Sequence, residues 1–276
     1  MVSDITEIDP LAEEFSHQLL QIGSGALPLN NTLLQHVLQC GHIVSTLAEL
    51  KEKVFPTLQD NFKNIAWFAE RTVLAHRNES VNKVNHELLH VLPGDASTFV
   101  SIDTTIDEHA AVEYSVEFPN SLQPTGQPPH KLFLKKDVPI MLLRNLDPPQ
   151  RCDGTRLIIT TMISHVLQAT IIAGCHRGEI AYIPCMPLIP SNVSFQFKRL
   201  QFPVRLCFPM AINKSQGQTL KIMGLNLQLP CVSHGQLYVA CSRVNSADNL
   251  YIYSTKTGLT HNIVYPEALS ASLDIC

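Results

Sequence analysis

The sequence predicts an α/β domain interrupted by a smaller β-rich module, and three observations carry that prediction. Short apolar runs with β-propensity alternate with helical periodicity over residues 67–119 and again after 201. Between them, from Lys131 to about Arg199, lie β-rich runs separated by DPP, DG, RG and PLIP turns, with no periodicity of helix length. The chain has 276 residues, 45% of them apolar and 16% charged, against a usual charged share of about 25%. That is long enough to bury a core and too apolar to stay disordered.

From Asp9 to Ile22, the residues Leu11, Phe15, Leu19 and Ile22 recur at helical spacing, and Gly23 ends the run. A second helix is expected from Asn31 to Leu50, so residues 1–66 read as a helical lead-in that also takes in most of LQDNFKNIAWFAE after Pro56. RTVLA (Arg71 to Ala75) reads as a strand. The helix starting near Asn78 carries Val81, Val84 and Leu88 on one face. NSLQPTGQPPH, residues 120–130, holds three prolines and a glycine, so regular structure stops there and a domain boundary is expected. Beyond it, LFL, VPIMLL, TRLIITTMI, HVLQATIIA and EIAYIP read as the short strands of a small β-barrel. FPVRLCF (Phe202 to Phe208) resumes an apolar strand, followed by the polar INKSQGQT, a strand at LKIMGLNL, a helix near His234 to Ser242 and a strand at NLYIY. The expected division is therefore a motif-bearing α/β domain over 67–119 and 201–262, an insertion over 120–200, and a tail over 263–276.

Charge excludes one simple reading. Lys and Arg number 20 against 24 Asp and Glu, a net charge of −4, so no global positive field marks a nucleic-acid binder and any such role needs a local patch. Eight cysteines, at 40, 152, 175, 185, 207, 231, 241 and 276, include no C-x-x-C pair and read as reduced, mostly buried thiols. The N-terminal MVSDITEIDP is acidic where a secretory signal needs a basic start. The apolar stretch Leu157 to Cys175 is broken by His165 and Gln168 and reads as paired strands, so a soluble, intracellular protein with no membrane partner is expected. Twelve histidines invite a metal site, above all Cys175-His176 with Cys185, but no fourth ligand is readable and no metal is expected.

Two segments are able to carry chemistry. AINKSQGQT, Ala211 to Thr219, directly follows an apolar strand, and in an α/β sheet ligands bind beyond the carboxyl ends of strands. Lys214 supplies a mobile charge, Ser215 a hydroxyl, Asn213 and Gln216 amides, and Gly217 room for close backbone approach. An ordinary polar loop capping a helix would use the same residue types. HGQLYVACSRV, His234 to Val244, presents Arg243 near a helix end, where a guanidinium suits a phosphate or carboxylate; a surface salt bridge is the other reading.

Taken together, FPMAINKSQGQT and LYVACSRV resemble the last two motifs of superfamily-one DNA helicases in the form found in the petite-integration-frequency (Pif) family and in Helitron transposons. RTVLAHRNESVNKVN is similar to the preceding motif, and EFPNSLQPTGQPPHKLFLKKDVPIMLLRNLDPPQRCDGTRLIIT to the Pif-type barrel insertion. LIPSNVSFQFKRLQFPVRLCF resembles the return to the motor fold and THNIVYPEAL the C-terminal tail. The resemblance implies a second RecA-like motor domain interrupted by an SH3-like β-barrel. It implies an arginine finger at Arg243, nucleotide contacts at Gly217 and Gln218, single-stranded DNA contacts at Asn213, Lys214, Ser215 and Gln216, and a further one at Asn78. It further implies ATP and magnesium as the full-length family's cofactors, a first RecA-like motor domain as partner in trans, a nuclear place, and family roles in DNA repair, recombination and telomere maintenance.

A P-loop needs G-x-x-x-x-G-K-[ST], and the dipeptide Gly-Lys does not occur in the chain. The lone Asp107-Glu108 pair follows SIDTTI, where no buried strand would hold a magnesium-binding acid. The chain is therefore expected to correspond to the C-terminal half of a helicase, to bind no ATP tightly alone, and to bind single-stranded DNA weakly, with Lys198 and Arg199 as electrostatic support. A noncatalytic DNA-binding or helicase-interacting module and an inert transposon relic are the alternatives. Two departures from the motifs stand out. Pro209 and Ala211 replace a small residue and a Thr or Ser, and Asp137 replaces the glycine usual before VPIMLL.

Overall fold

The computed structural model describes residues 10–33, 35–106, 117–191, 193, 196–256 and 258–270, so Asp107-Glu108 and Cys276 lie outside the described residues. The chain divides into two compact units, one drawn from 1–57, 70–84 and 209–276, the other from 58–69 and 85–208.

The first unit is built on a five-stranded parallel sheet in the order Pro209–Ala211, Arg71–Ala75, Ile222–Leu227, Leu250–Ser254, His42–Val44. Arg71–Ala75 is buried along its whole length, as a parallel strand covered on both faces must be. The Leu47–Val54 helix is started by Thr46, whose Oγ1 accepts the Glu49 N–H at 3.0 Å while Glu49 in return accepts the Ser45 N–H at 2.9 Å. It sets Leu50 and Val54 against the sheet at Gly224, where an added Cβ would come within 2.8 Å of Val54 Cγ2. The Pro10–Ser24 helix buries Phe15 and Ile22 but leaves Leu11 65% exposed.

The expected helix from Asn31 to Leu50 is absent. Gln35–Val37 is a strand of a small antiparallel sheet with Leu29–Asn30 and Leu259–Thr260, and His42–Val44 forms the edge of the parallel sheet. The break falls at Gly41, which holds φ +76° with its Cα so near Leu250 that a Cβ would lie 2.7 Å from the Leu250 carbonyl oxygen. Residues 1–66 are thus no separate helical lead-in: their latter part supplies strands to the first unit and a helix to the second.

The second unit carries a five-stranded antiparallel sheet in the order Ile180–Pro184, Val166–Ile171, Arg156–Met162, Pro139–Leu142, Val204–Leu206. The apolar stretch after Leu157 is the hairpin the sequence suggests, pairing Leu167 with Met162 and Ile171 with Leu157. LQDNFKNIAWFAE forms two short helices, Leu58–Asn61 and Ile65–Ala69. Only Val204–Leu206 of FPVRLCF belongs to this sheet; from Pro209 the chain runs in the parallel sheet of the first unit.

The proline-rich loop at 120–130 lies wholly within the second unit instead of at its border. Arg199, expected on the surface as support for DNA, is fully buried and holds that loop in place. Its guanidinium pairs with Asp103 at 2.6 Å and donates to the carbonyls of Pro119 at 2.8 Å and Pro128 at 3.0 Å. Gln201 Nε2 adds bonds to Phe99 and His130 carbonyls at 3.1 and 3.2 Å. Backbone groups that a turn without regular structure leaves unpaired are satisfied here by two side chains from the Phe197–Gln201 strand. Lys198, on the same strand, is exposed. Asp137 adopts φ +63°, so the turn keeps the left-handed backbone that a glycine would take without cost.

Candidate functional site

Arg71–Ala75 and Pro209–Ala211 are neighbouring parallel strands, with Ala75 opposite Ala211. Parallel strands release their loops at the same edge of the sheet, so the segments that follow share that edge. Beyond Ala75 the chain passes through His76 and Arg77 into the Asn78–Val91 helix, whose first residue, Asn78, is exposed. Beyond Ala211 it makes the 3₁₀ turn Ile212–Ser215 and then Gly217, at φ +78° with open space where a Cβ would stand.

Within this loop the side chains divide by direction. Asn213 and Gln216 are exposed and Lys214 is half-buried. Ser215 is buried and its hydroxyl donates to the Ile212 carbonyl at 2.7 Å, so it shapes the turn from inside and is not on the outer face. Gln218 Nε2 closes the loop on the Lys214 carbonyl at 3.0 Å, while Gln218 Oε1 is buried without a hydrogen-bond partner. Pro209 opens an edge strand, the one place in a sheet where its missing N–H is tolerated. Ala211 sits at the N-cap of the 3₁₀ turn and provides no side-chain cap there.

Arg243 follows the Gln236–Cys241 helix and reaches the same loop. Its Nε donates to the Val239 carbonyl at 2.8 Å, Nη2 to Ser242 Oγ at 2.8 Å, and Nη1 to the Gln218 carbonyl at 3.4 Å, while the Arg243 carbonyl accepts the Leu220 N–H at 2.8 Å. The guanidinium is half-buried rather than exposed, and among the described residues no carboxylate pairs with it. A cation held by neutral acceptors keeps its charge available to an anion. Asn213, Lys214, Gly217, Gln218 and Arg243 are thus brought together around one loop, with Asn78 at the neighbouring strand's end.

Sequence reasoning missed Gln236. It is buried at the start of its helix, where Nε2 donates to Asn213 Oδ1 at 3.4 Å and Oε1 accepts the Val232 N–H at 3.3 Å, tying the two motif segments together. A polar residue at an inward position of HGQLYVACSRV was the available signal.

The cysteines and His176 add no further ligand set among the described residues. Cys40, Cys207, Cys231 and Cys241 are buried; burial pushes the Cys231 thiol up to about 12, and a hydrogen bond from Cys241 holds Cys40 below its usual value. His176 Nδ1 lies 2.9 Å from Glu179 Oε1. Among the described residues no three His, Cys, Asp or Glu side chains converge to hold a metal, and no helix is long and apolar enough to cross a membrane.

Comparison with known proteins agrees with the motifs. Residues 117–162 match the family described as DNA helicase Pif1, 2B domain. The chain is 25% identical over 183 residues to the ATP-dependent DNA helicase PIF1 of Xenopus laevis, an alignment covering 66% of this chain and 27% of that protein. It is 41% identical over 56 residues to the ATP-dependent DNA helicase Pif1 of Campylobacter jejuni, covering 20% and 12%. Among solved structures, the Pif1 helicase from Candida albicans superposes with a TM-score of 0.59 at 17% identity, covering 96% of this chain and 58% of that one. The Bacteroides Pif1 helicase in complex with ADP-AlF3 and single-stranded DNA gives 0.56 at 17%, covering 99% and 55%. The fold is that of Pif1 helicases, and the chain spans about a quarter or less of the curated relatives it matches.

Proposed function

We propose that this chain acts as the second RecA-like motor domain of a Pif-type ATP-dependent DNA helicase, with the antiparallel sheet of its second unit serving as the SH3-like insertion. The observation that carries the proposal is the shared edge of two adjacent parallel strands, from which Asn78 and the Asn213–Gly217 loop emerge, with Arg243 hydrogen-bonded to Gln218 behind the loop. In this reading Asn213, Lys214, Gln216 and Asn78 meet single-stranded DNA, and Ser215 holds the turn that presents them. Gly217 and Gln218 face nucleotide. Arg243 stabilises charge on the γ-phosphate of an ATP whose phosphate cradle and magnesium acid come from a first motor domain. Hydrolysis then loosens or tightens the loop's hold on DNA, which couples the two chemistries. The same reading puts the protein in the nucleus, at DNA.

The sequence has no Gly-Lys dipeptide and hence no P-loop, so the chain alone is expected to turn over no ATP and to bind DNA weakly. Fusion to an intact first motor domain from a related helicase tests the proposal. The fusion should hydrolyse ATP in a DNA-stimulated way, and Arg243→Ala should remove most of that, on the order of 10³-fold for a finger of this kind. A folded, active fusion indifferent to Arg243 would sink the finger role and leave Arg243 a structural arginine that braces the end of its helix through Val239 and Ser242. At low salt the chain alone should bind oligothymidylate with a Lys214-dependent affinity; no binding, or binding unchanged in Lys214→Ala, would remove the DNA assignment.

A further inference from the structure

The helix that leads to Arg243, Gln236–Cys241, starts without a side-chain cap. Its N-cap is Gly235, which has no side chain to offer and stands at φ +66° and ψ 2°, whereas a capping residue is ordinarily extended. The start is held instead by the chain's tail. The Gly235 N–H donates to the Ile263 carbonyl at 3.0 Å, and the Tyr265 N–H donates in the other direction to His234 Nδ1 at 2.9 Å. The rings of His234 and Tyr265 stack at 5.5 Å between centroids, 15° from parallel.

The tail is itself anchored at Asn262, which is 8% exposed. Asn262 Nδ2 donates to the Ile22 carbonyl at 2.8 Å, near the end of the Pro10–Ser24 helix, and the Asn262 N–H donates to His36 Nδ1 at 3.3 Å. On the other side of Gly235 lies Gln236, whose Nε2 meets Asn213 Oδ1 at 3.4 Å. One turn on is Val239, whose N–H donates to the Gly235 carbonyl at 2.9 Å and whose carbonyl accepts Arg243 Nε at 2.8 Å. Hydrogen bonds between adjoining residues thus lead from the tail through Gly235 to both Asn213 and Arg243, and every one of these residues belongs to the first unit.

We propose that residues 262–265 form a strap that takes the place of the missing cap, and that His234 is the positioning residue through which the strap keeps Gln236 against Asn213. This rests on the helicase reading for its effect on DNA and on hydrogen bonding alone for the strap. The test compares the intact chain with its His234→Ala, His234→Asn and His234→Phe variants, each with and without Asn213→Ala, by amide hydrogen exchange and by titration with oligothymidylate at low salt. Asparagine offers an acceptor near the place of Nδ1 without the ring, and phenylalanine keeps the ring contact without the acceptor. His234→Ala should speed exchange at Gly235, Val239 and Tyr265 about fivefold, leave Ile222–Leu227 protected, and weaken oligonucleotide binding about threefold. Asparagine should restore most of both, and phenylalanine less. With Asn213→Ala already in place, His234→Ala should weaken binding little further. Faster exchange spread equally over Ile222–Leu227 would make His234 a general stabiliser and overturn the proposal. So would a loosened helix start with unchanged affinity, or an affinity loss that Asn213→Ala leaves undiminished. If wild type bound no oligonucleotide the helicase reading would fall, and the exchange pattern with its rescue by asparagine would alone decide whether the strap holds the helix start.

Discussion

Arg199 in the second unit and Arg243 in the first are held by different kinds of partner. Arg199 is fully buried, and its guanidinium is spent on Asp103 and on the carbonyls of a proline-rich loop. Arg243 is half-buried and rests on Val239, Ser242 and Gln218, with no carboxylate paired to it among the described residues. A buried carboxylate converts an arginine into a fixed part of the core, because separating the pair strands a charge in low dielectric. An arginine held only by neutral acceptors is positioned yet still unneutralised. Whether a cation serves structure or chemistry is thus decided by its partner.

The sharpest way to break that contrast is to remove each arginine in turn. Arg199→Ala leaves Asp103 buried and unpaired and should cost about 3–5 kcal/mol in urea unfolding. Arg243→Ala loses three bonds to neutral acceptors, one of them long, at a half-buried site, and should cost less, about 1–2 kcal/mol. Equal losses would erase the distinction.

Two left-handed positions, one in each unit, give a smaller contrast. Gly217 takes φ +78° freely, whereas Asp137 takes φ +63° with a side chain attached. Asp137→Gly should stabilise by up to about 1 kcal/mol, the relief of strain being partly offset by the freer unfolded chain. Gly217→Ala should destabilise by about 1–2 kcal/mol although nothing stands where its Cβ would go, the cost being backbone alone. Thermal midpoints of the two variants, moving in opposite directions, check this.

The sequence disclosed elements whose pattern admits one reading. Arg71–Ala75 is a short apolar run with an amphipathic helix behind it, and Arg156–Met162 with Val166–Ile171 is a hairpin around the turn Ile163-Ser164-His165. It misled between Asn31 and Leu50, where the apolar residues suit a helix as well as short strands and the decision falls to Gly41 against Leu250, a contact more than 200 residues distant in sequence. The loop at 120–130 looked like a boundary because of its three prolines and a glycine, and past the short Glu117–Ser121 helix its residues form nothing regular. What fixes it is Arg199 and Gln201, which no local pattern reveals. The candidate loop was legible as a set of residue types, but Ser215 facing inward and Gln236 joining Asn213 were not, since direction on a 3₁₀ turn depends on what packs beneath it.

A smaller test turns on a missing cap in the first unit. Thr46 caps its helix through its hydroxyl, while Ala211 stands at an extended N-cap, φ −69° and ψ 144°, with no side-chain oxygen to offer. Ala211→Ser should add about 0.5–1 kcal/mol by accepting an N–H of the 3₁₀ turn. If it does so without altering oligonucleotide binding, the hydroxyl absent here is a cap and not a DNA contact.

The smallest expected effect separates the units by acid. His36, in the first unit, is held below its ordinary value by burial and then by repulsion from His261, and its Nδ1 accepts the Asn262 N–H at 3.3 Å, a bond that protonation there removes. His86, in the second unit, is lowered by burial and then by His90, and it meets Phe133 edge-on at 6.0 Å. In both cases the unfolded chain, titrating near 6.5, takes up the proton first. Their contribution is therefore complete above that value and is lost as pH falls below it toward the lower folded values. Unfolding midpoints should drop as pH falls through the unfolded value of 6.5. His36→Asn, which places an oxygen where Nδ1 accepts, should flatten the part of that drop seen by probes in the first unit and leave the second unchanged. His86→Phe, which keeps the ring contact without a titrating nitrogen, should do the reverse. A drop that survives both substitutions would have to be assigned to carboxylates, and one abolished everywhere by either substitution would mean that the two units unfold as a single cooperative body.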